Sequence, residues 1–185
     1  MIQVPLAILC GYVALKYFNN SGSMIDITVD GRTYKVRDYE DRRISQGVAE
    51  DLHELTMKID KLLNHLEKKY PNNGKVQKLL NSYTGNIQEI TFENEGQVGY
   101  NVNKGEAIGL CMYKNGKFMD INTIMFVLLH ELAHSMTVAY SHDKEFWDNF
   151  SFLLNEAMRI GIYTYEDFKS EPKTHCNMKI GHTPV

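Results

Sequence analysis

The chain has 185 residues, 43% of them hydrophobic and 23% charged, with a formal net charge of -3. That is roughly one domain of sequence, enough to bury a core without covalent staples. The charge excludes a generally basic nucleic-acid binder. The three cysteines, at 10, 111 and 176, cannot make a disulfide framework; they read as free thiols in a reducing compartment, or as one pair and an orphan.

Residues 2–18 are apolar apart from Gln3 and Lys16. As a helix this run reaches about 25 Å, just short of a hydrocarbon core. No Lys or Arg precedes it, so it does not read as a cleaved secretory signal. Lys16, Arg32, Lys35 and Arg37 follow it, and the positive-inside rule would keep the rest of the chain on the cytoplasmic side. Two expectations stand: a membrane anchor with a cytoplasmic-side domain, or a buried N-terminal helix of a cytoplasmic protein. The polar stretch 19–23 is a linker under either, dividing the chain into a segment 1–23 and a domain 24–185.

Ile25, Ile27 and Val29 alternate with polar residues up to Asp30-Gly31, and a second alternating run follows, which predicts a hairpin with a type I′ turn. Ile44, Val48, Leu52, Leu55, Ile59, Leu62 and Leu66 recur at spacings of three and four, predicting one amphipathic helix over about 41–70, stopped by Pro71-Asn72-Asn73-Gly74. A shorter helix is expected over 76–83, then three short strands over 87–92, 98–102 and 107–112. The apolar run at Ile124 and Phe126 to Leu129 predicts a buried helix, and Phe146, Phe150, Leu153, Leu154 and Met158 predict a last one ending at Gly161. The class is α+β, a small mixed sheet packed on long helices.

The buried helix runs into His130-Glu131-Leu132-Ala133-His134, which fits the metal-binding pattern HExxH. Histidines four apart lie about 40° apart around a helix, so both imidazoles reach one ion. A buried His-Glu-His group without a partner is costly to desolvate, and ligation of Zn2+ removes that cost. Glu131 is then the candidate catalytic base, accepting a proton from a metal-activated water. A third ligand is needed, and His142 is the leading candidate. In a continuous helix His134 and His142 would stand about 12 Å apart, so the helix must end between them. Thr137-Val138 weakens helix there, Ser141 and Asp143 can cap the next helix, and Phe146 and Trp147 can pin the turn. Glu156, on that next helix, and Cys111, whose thiolate would make a deformylase-like site, are the competing ligands.

HELAH followed by Ser141-His142-Asp143-Lys144-Glu145-Phe146-Trp147 resembles the WLM metallopeptidases, relatives of the SprT-like proteases. The segment Tyr100-Asn101-Val102-Asn103-Lys104-Gly105 and the strand through Ile108, Leu110 and Met112 are similar to what precedes that family's active-site helix. The resemblance is closest to short WLM-like proteins of large DNA viruses, which also carry a hydrophobic N-terminus. It implies a zincin-like fold, His130, His134 and His142 as zinc ligands, and Glu131 as base. The step from His134 to His142 is two residues longer than in the cellular pattern HExxHxxxxxH. Cellular relatives cleave proteins crosslinked to DNA, but the DNA-binding and partner-binding segments that they add have no counterpart among these residues.

The function expected is zinc-dependent endopeptidase, with a protein or peptide substrate and nucleic acid unlikely as a direct strong partner. The alternatives are a non-cleaving zinc-bound adaptor for proteins or DNA-protein crosslinks, and a non-peptidase zinc amide hydrolase. The strand 107–112 is a candidate sheet edge for an extended substrate, and Tyr140 a candidate oxyanion donor. In the tail, Cys176 with His175 and His182 could form a second metal site, or Cys176 could plug the first. Arg42, Arg43, Lys58, Lys61, Lys68 and Lys69 are interspersed with acids and read as the solvated side of the long helix.

Overall fold

The structure is a computed structural model that describes residues 22–91 and 96–185. The apolar run 2–18 and Cys10 lie outside the described residues. Among the described ones no helix is long and apolar enough to cross a membrane.

Strands β1 (Met24–Val29) and β2 (Arg32–Arg37) pair antiparallel with Val29 opposite Arg32. The turn between them has φ of 46° at Asp30 and 80° at Gly31, the two positive values a type I′ turn requires. Helix α1 (Arg42–Lys69) starts where the Asp41 carboxylate accepts from the Arg43 amide and stops at Tyr70, before Pro71. Its expected stripe is its buried face: Val48, Leu52, Leu55, Ile59, Leu62 and Leu66 are all fully buried. Helix α2 (Gly74–Ser82) follows, with the Asn73 side chain accepting from the amides of Lys75 and Val76.

Strands β3 (Ile87–Glu89), β4 (Gly99–Val102) and β5 (Ala107–Leu110) form a mixed sheet in the order β3-β5-β4. β3 runs parallel to β5 and β4 antiparallel to it. The segment expected at the sheet edge is therefore its centre. Its uninterrupted apolar run, Ala107-Ile108-Gly109-Leu110-Cys111-Met112, is what a strand flanked on both sides and covered on both faces carries. Among the described residues, β4 pairs on one side alone.

A short hairpin, β6 (Tyr113–Lys114) and β7 (Lys117–Phe118), turns at Asn115-Gly116 and leads into helix α3 (Ile121–Met136). Asp120 caps α3 by accepting from the Thr123 amide, and most of the helix surface is buried, as the apolar run demands. Helix α4 (Lys144–Arg159) packs against α3 and ends at Gly161, φ 71°. The Gly161 amide donates to the Met158 carbonyl and the Ile162 amide to that of Ala157, a Schellman closure.

The tail adds a hairpin that the residue pattern did not announce, β8 (Lys173–His175) and β9 (Met178–Ile180), turning at Cys176-Asn177. Cys176 is disulfide-bonded to Cys111, immediately after β5. Of the two cysteine readings, the one with a disulfide pair is realised in Cys111 and Cys176. Cys176→Ser removes a crosslink between residues 65 apart, and loop-closure entropy predicts a loss of up to about 4 kcal/mol. Urea unfolding in non-reducing buffer measures this; equal midpoints for the two proteins would show that the pair does not form.

Candidate metal centre

Helix α3 carries His130, Glu131 and His134 and ends at its cap residue Thr137, before the chain reaches His142. The Thr137 hydroxyl donates to the Ala133 carbonyl at 2.7 Å and accepts from the Asn149 amide at 3.0 Å. Its carbonyl accepts from Lys78 Nζ at 2.7 Å and Lys104 Nζ at 2.9 Å. Lys104 also donates to the carbonyls of Val138 and Ala139 and lies 4.2 Å from the centre of the Tyr140 ring. Carbonyls at a helix C-terminus carry the negative end of its dipole, so two ammonium groups are well placed there. The chain then turns back, and the Asp143 carboxylate caps α4 by accepting from the Phe146 amide at 3.1 Å. Both helix ends fall where the β-branched pair and the capping aspartate predict them.

This return sets His142 Nε2 at 3.1 Å from His130 Nε2 and 3.1 Å from His134 Nε2. The fully buried Phe146 ring lies beneath all three imidazoles, with centroid distances of 4.8 Å to His130, 4.4 Å to His134 and 4.5 Å to His142. Burial, then the neighbouring His134 and His142, push His130 down to about 3; burial, then His142 and Lys104, push His134 down to about 4. Both are neutral near neutral pH, the form that ligates metals.

Three ring nitrogens so arranged are not satisfied by hydrogen bonds. A neutral imidazole has one N–H, so His142 Nε2 can donate to only one of the two nitrogens it faces. A tetrahedral zinc with bonds of about 2.0–2.1 Å holds its nitrogens about 3.3 Å apart, close to the spacing here. The donor set fits the ion. These histidines are the group among the described residues with metal-binding geometry.

Glu131 is buried, and burial alone raises its carboxyl to about 7. It lies against β4 at Gly99, where a Cβ would meet Glu131 Oε1 at 3.3 Å and Val127 Cγ1 at 3.0 Å. Glycine there gives the carboxylate its room. Next along β4, the Asn101 amide donates to the Glu131 carbonyl at 2.6 Å and the Ser135 hydroxyl oxygen at 3.0 Å, locking the strand to α3. Residues 97–100 line one side of a cleft that also contains the three histidines and Glu131.

The other candidates stand elsewhere. Cys111 is tied up in the disulfide, which rules it out as a thiolate ligand and Cys176 as a plug or second metal site. Tyr140 is 80% exposed and stacked with Lys104, not directed at the histidines. Glu156 faces α1, accepting from His65 at 2.6 Å, Tyr70 at 2.9 Å and Lys69 at 3.0 Å, with Arg159 at 3.3 Å. Lys78, Lys104, Asn101 and Gly99 were not singled out from the residue pattern. Asn101 and Lys104 carried a signal, as parts of a segment resembling the WLM family.

Fold and cluster together define an α+β domain with a three-histidine site between a strand edge and two packed helices. A profile for the WLM domain matches residues 61–183, and the chain belongs to that family. It is 26% identical over 190 residues to an uncharacterized protein of Acanthamoeba polyphaga mimivirus, covering 97% of this chain and 95% of that one. It is 34% identical over 94 residues to an uncharacterized protein of Invertebrate iridescent virus 6, covering 49% of this chain and 51% of that one. Among solved structures, Wss1 from Saccharomyces cerevisiae is similar at 22% identity and a TM-score of 0.44, over 65% of this chain and 82% of that chain.

Burial favours a protonated Glu156, but its bonds from His65, Lys69 and Tyr70 outweigh that and hold it down to about 2. An unfolded glutamate titrates near about 4.3. The stabilisation is therefore complete above that value and lost as pH falls through about 2, about 3 kcal/mol in all. Glu156→Gln is expected to be less stable at neutral pH, to show a flatter acid-denaturation profile, and to keep its metal content. Loss of metal in this variant would restore Glu156 as a ligand.

Proposed function

We propose that the chain is a zinc-dependent endopeptidase, with His130, His134 and His142 as metal ligands and Glu131 as general base. The observation that carries this reading is the convergence of three imidazole nitrogens, 3.1 Å from His142 Nε2 to each of the others, next to a buried carboxylate. Membership of the WLM family supports a protein substrate. Zinc held by His130, His134 and His142 would supply Lewis acidity, to polarise a carbonyl and acidify a water.

The chain's own groups supply the remainder. Glu131, raised to about 7 by burial, is matched to take a proton from the attacking water and return it to the leaving amine. The side of β4 that faces the cleft offers backbone donors and acceptors to an extended peptide, and strand addition there carries the scissile carbonyl past Glu131. Asn101 keeps that strand in register with the helix through its bonds to the Glu131 carbonyl and Ser135. Phe146 excludes water from beneath the imidazoles and limits their rotation.

Purified protein is expected to contain close to one zinc per chain. Glu131→Gln keeps the metal and lowers cleavage of an unfolded protein by at least about a hundredfold. His142→Ala loses the metal, whereas Cys111→Ser does not. Zinc well below one per chain in the parent protein, measured by atomic emission, overturns the reading. Undiminished cleavage by Glu131→Gln overturns it equally, and metal bound without any cleavage leaves the adaptor role in its place.

A further inference from the structure

The cleft is larger than the reacting groups need. It encloses a cavity of about 520 Å³, within the range of pockets that take a whole ligand group. Phe126, Val127 and Phe150, all buried, line it beside His130, and so does the half-buried Trp147. The C-terminal hairpin supplies a further wall, through Met178, Lys179 and Ile180. That wall is fixed at both ends. Its turn is bonded to the sheet through Cys176–Cys111, and beyond β9 the His182 ring meets Trp147 edge-on at 5.4 Å.

We propose that this cavity is the substrate side-chain pocket, that it selects a large apolar residue flanking the scissile bond, and that Met178 and Ile180 on the disulfide-held hairpin set this preference. The proposal rests on the peptidase reading above. Its chemistry follows from the lining. An aromatic or long aliphatic side chain would exchange water for four aromatic or aliphatic surfaces and the hairpin. Among the described lining residues a basic side chain would meet no carboxylate but Glu131, which the reaction uses; an acidic one would find Lys179, exposed on the hairpin, but would leave water for the buried apolar lining beyond it. The pocket adjoins both the histidines and β4, so a peptide extended along that strand brings a side chain to it next to the reacting carbonyl.

The test uses the zinc-loaded full chain. Cleavage sites in an unfolded protein, mapped by mass spectrometry, are expected to carry a large apolar residue on one consistent flank. A peptide with Phe at that flank is expected to exceed its Ala counterpart in kcat/KM by at least about tenfold. Ile180→Asp and the double variant Cys111→Ser/Cys176→Ser are each expected to bring that ratio close to one. Ile180→Ala, which removes bulk without adding charge, lowers it partway and serves if the Asp variant does not fold. Trp147 is the single tryptophan of the chain and lines the cavity, so it reports occupancy without turnover. In zinc-loaded Glu131→Gln, the Phe peptide shifts its emission to shorter wavelength and the Ala peptide does not. Cleavage without a flank preference, or a preference that survives every hairpin variant, overturns the proposal. Absence of all cleavage while Trp147 still distinguishes the peptides overturns the peptidase reading and leaves the pocket standing.

Discussion

The carbonyls at the end of α3 accept hydrogen bonds from two lysines, and the site depends on that arrangement. Lys78 and Lys104 both reach Thr137, and Lys104 continues along Val138 and Ala139. Burial, and then the charge of Lys78, lower the Lys104 ammonium from its ordinary value. Two like charges this close are tolerable because the carbonyls they face form the negative pole of a helix. Without that clamp, the chain between His134 and His142 would be a loop with exposed residues such as Val138 and Tyr140 and little burial of its own.

From the clamp the geometry propagates inward. It sets where Asp143 starts α4, Asp143 sets the register of Phe146, and Phe146 supports all three imidazoles at once. Asn149, one turn further along, returns to the Thr137 hydroxyl and accepts from Lys75, so α2, α3 and α4 meet at one polar junction. Polar groups buried this way rigidify a site only when they are mutually satisfied, and this junction is. On the other side of α3, Asn101 and Gly99 fix how close β4 comes to Glu131.

Periodic and capping signals made the helices legible from the residues alone. The stripe of α1, the Asp-Gly hairpin, the HExxH helix and the Gly161 stop all correspond to local physics, in which each residue acts on neighbours a few positions away. The break between His134 and His142 was legible too, because a continuous helix holds them too far apart. Strand order was not: β5, expected at an edge, is the centre, because its place is decided by partners distant in the chain. The Asn115-Gly116 hairpin carried the same turn signal as Asp30-Gly31 but is flanked by strands of only two residues. The Cys176-Asn177 turn has no glycine: Asn177 takes its φ of 74° readily, but Cys176, at 47°, is of a type that seldom adopts such a value. Spacing could not pair the cysteines either, because the partner of Cys176 is decided by where the tail folds.

The bond between Cys111 and Cys176 also has a topological consequence. Residues 130, 134 and 142 all lie between its two ends, so all three histidines sit on one covalently closed ring of chain. Unfolding of the helices would scatter those imidazoles only as far as the ring allows. The effective concentration of each histidine for the others stays higher than in an open chain, which would favour joint capture of a metal ion. A single proteolytic nick within the ring, such as at the exposed Val138, would cut the backbone between His134 and His142 and still release no fragment.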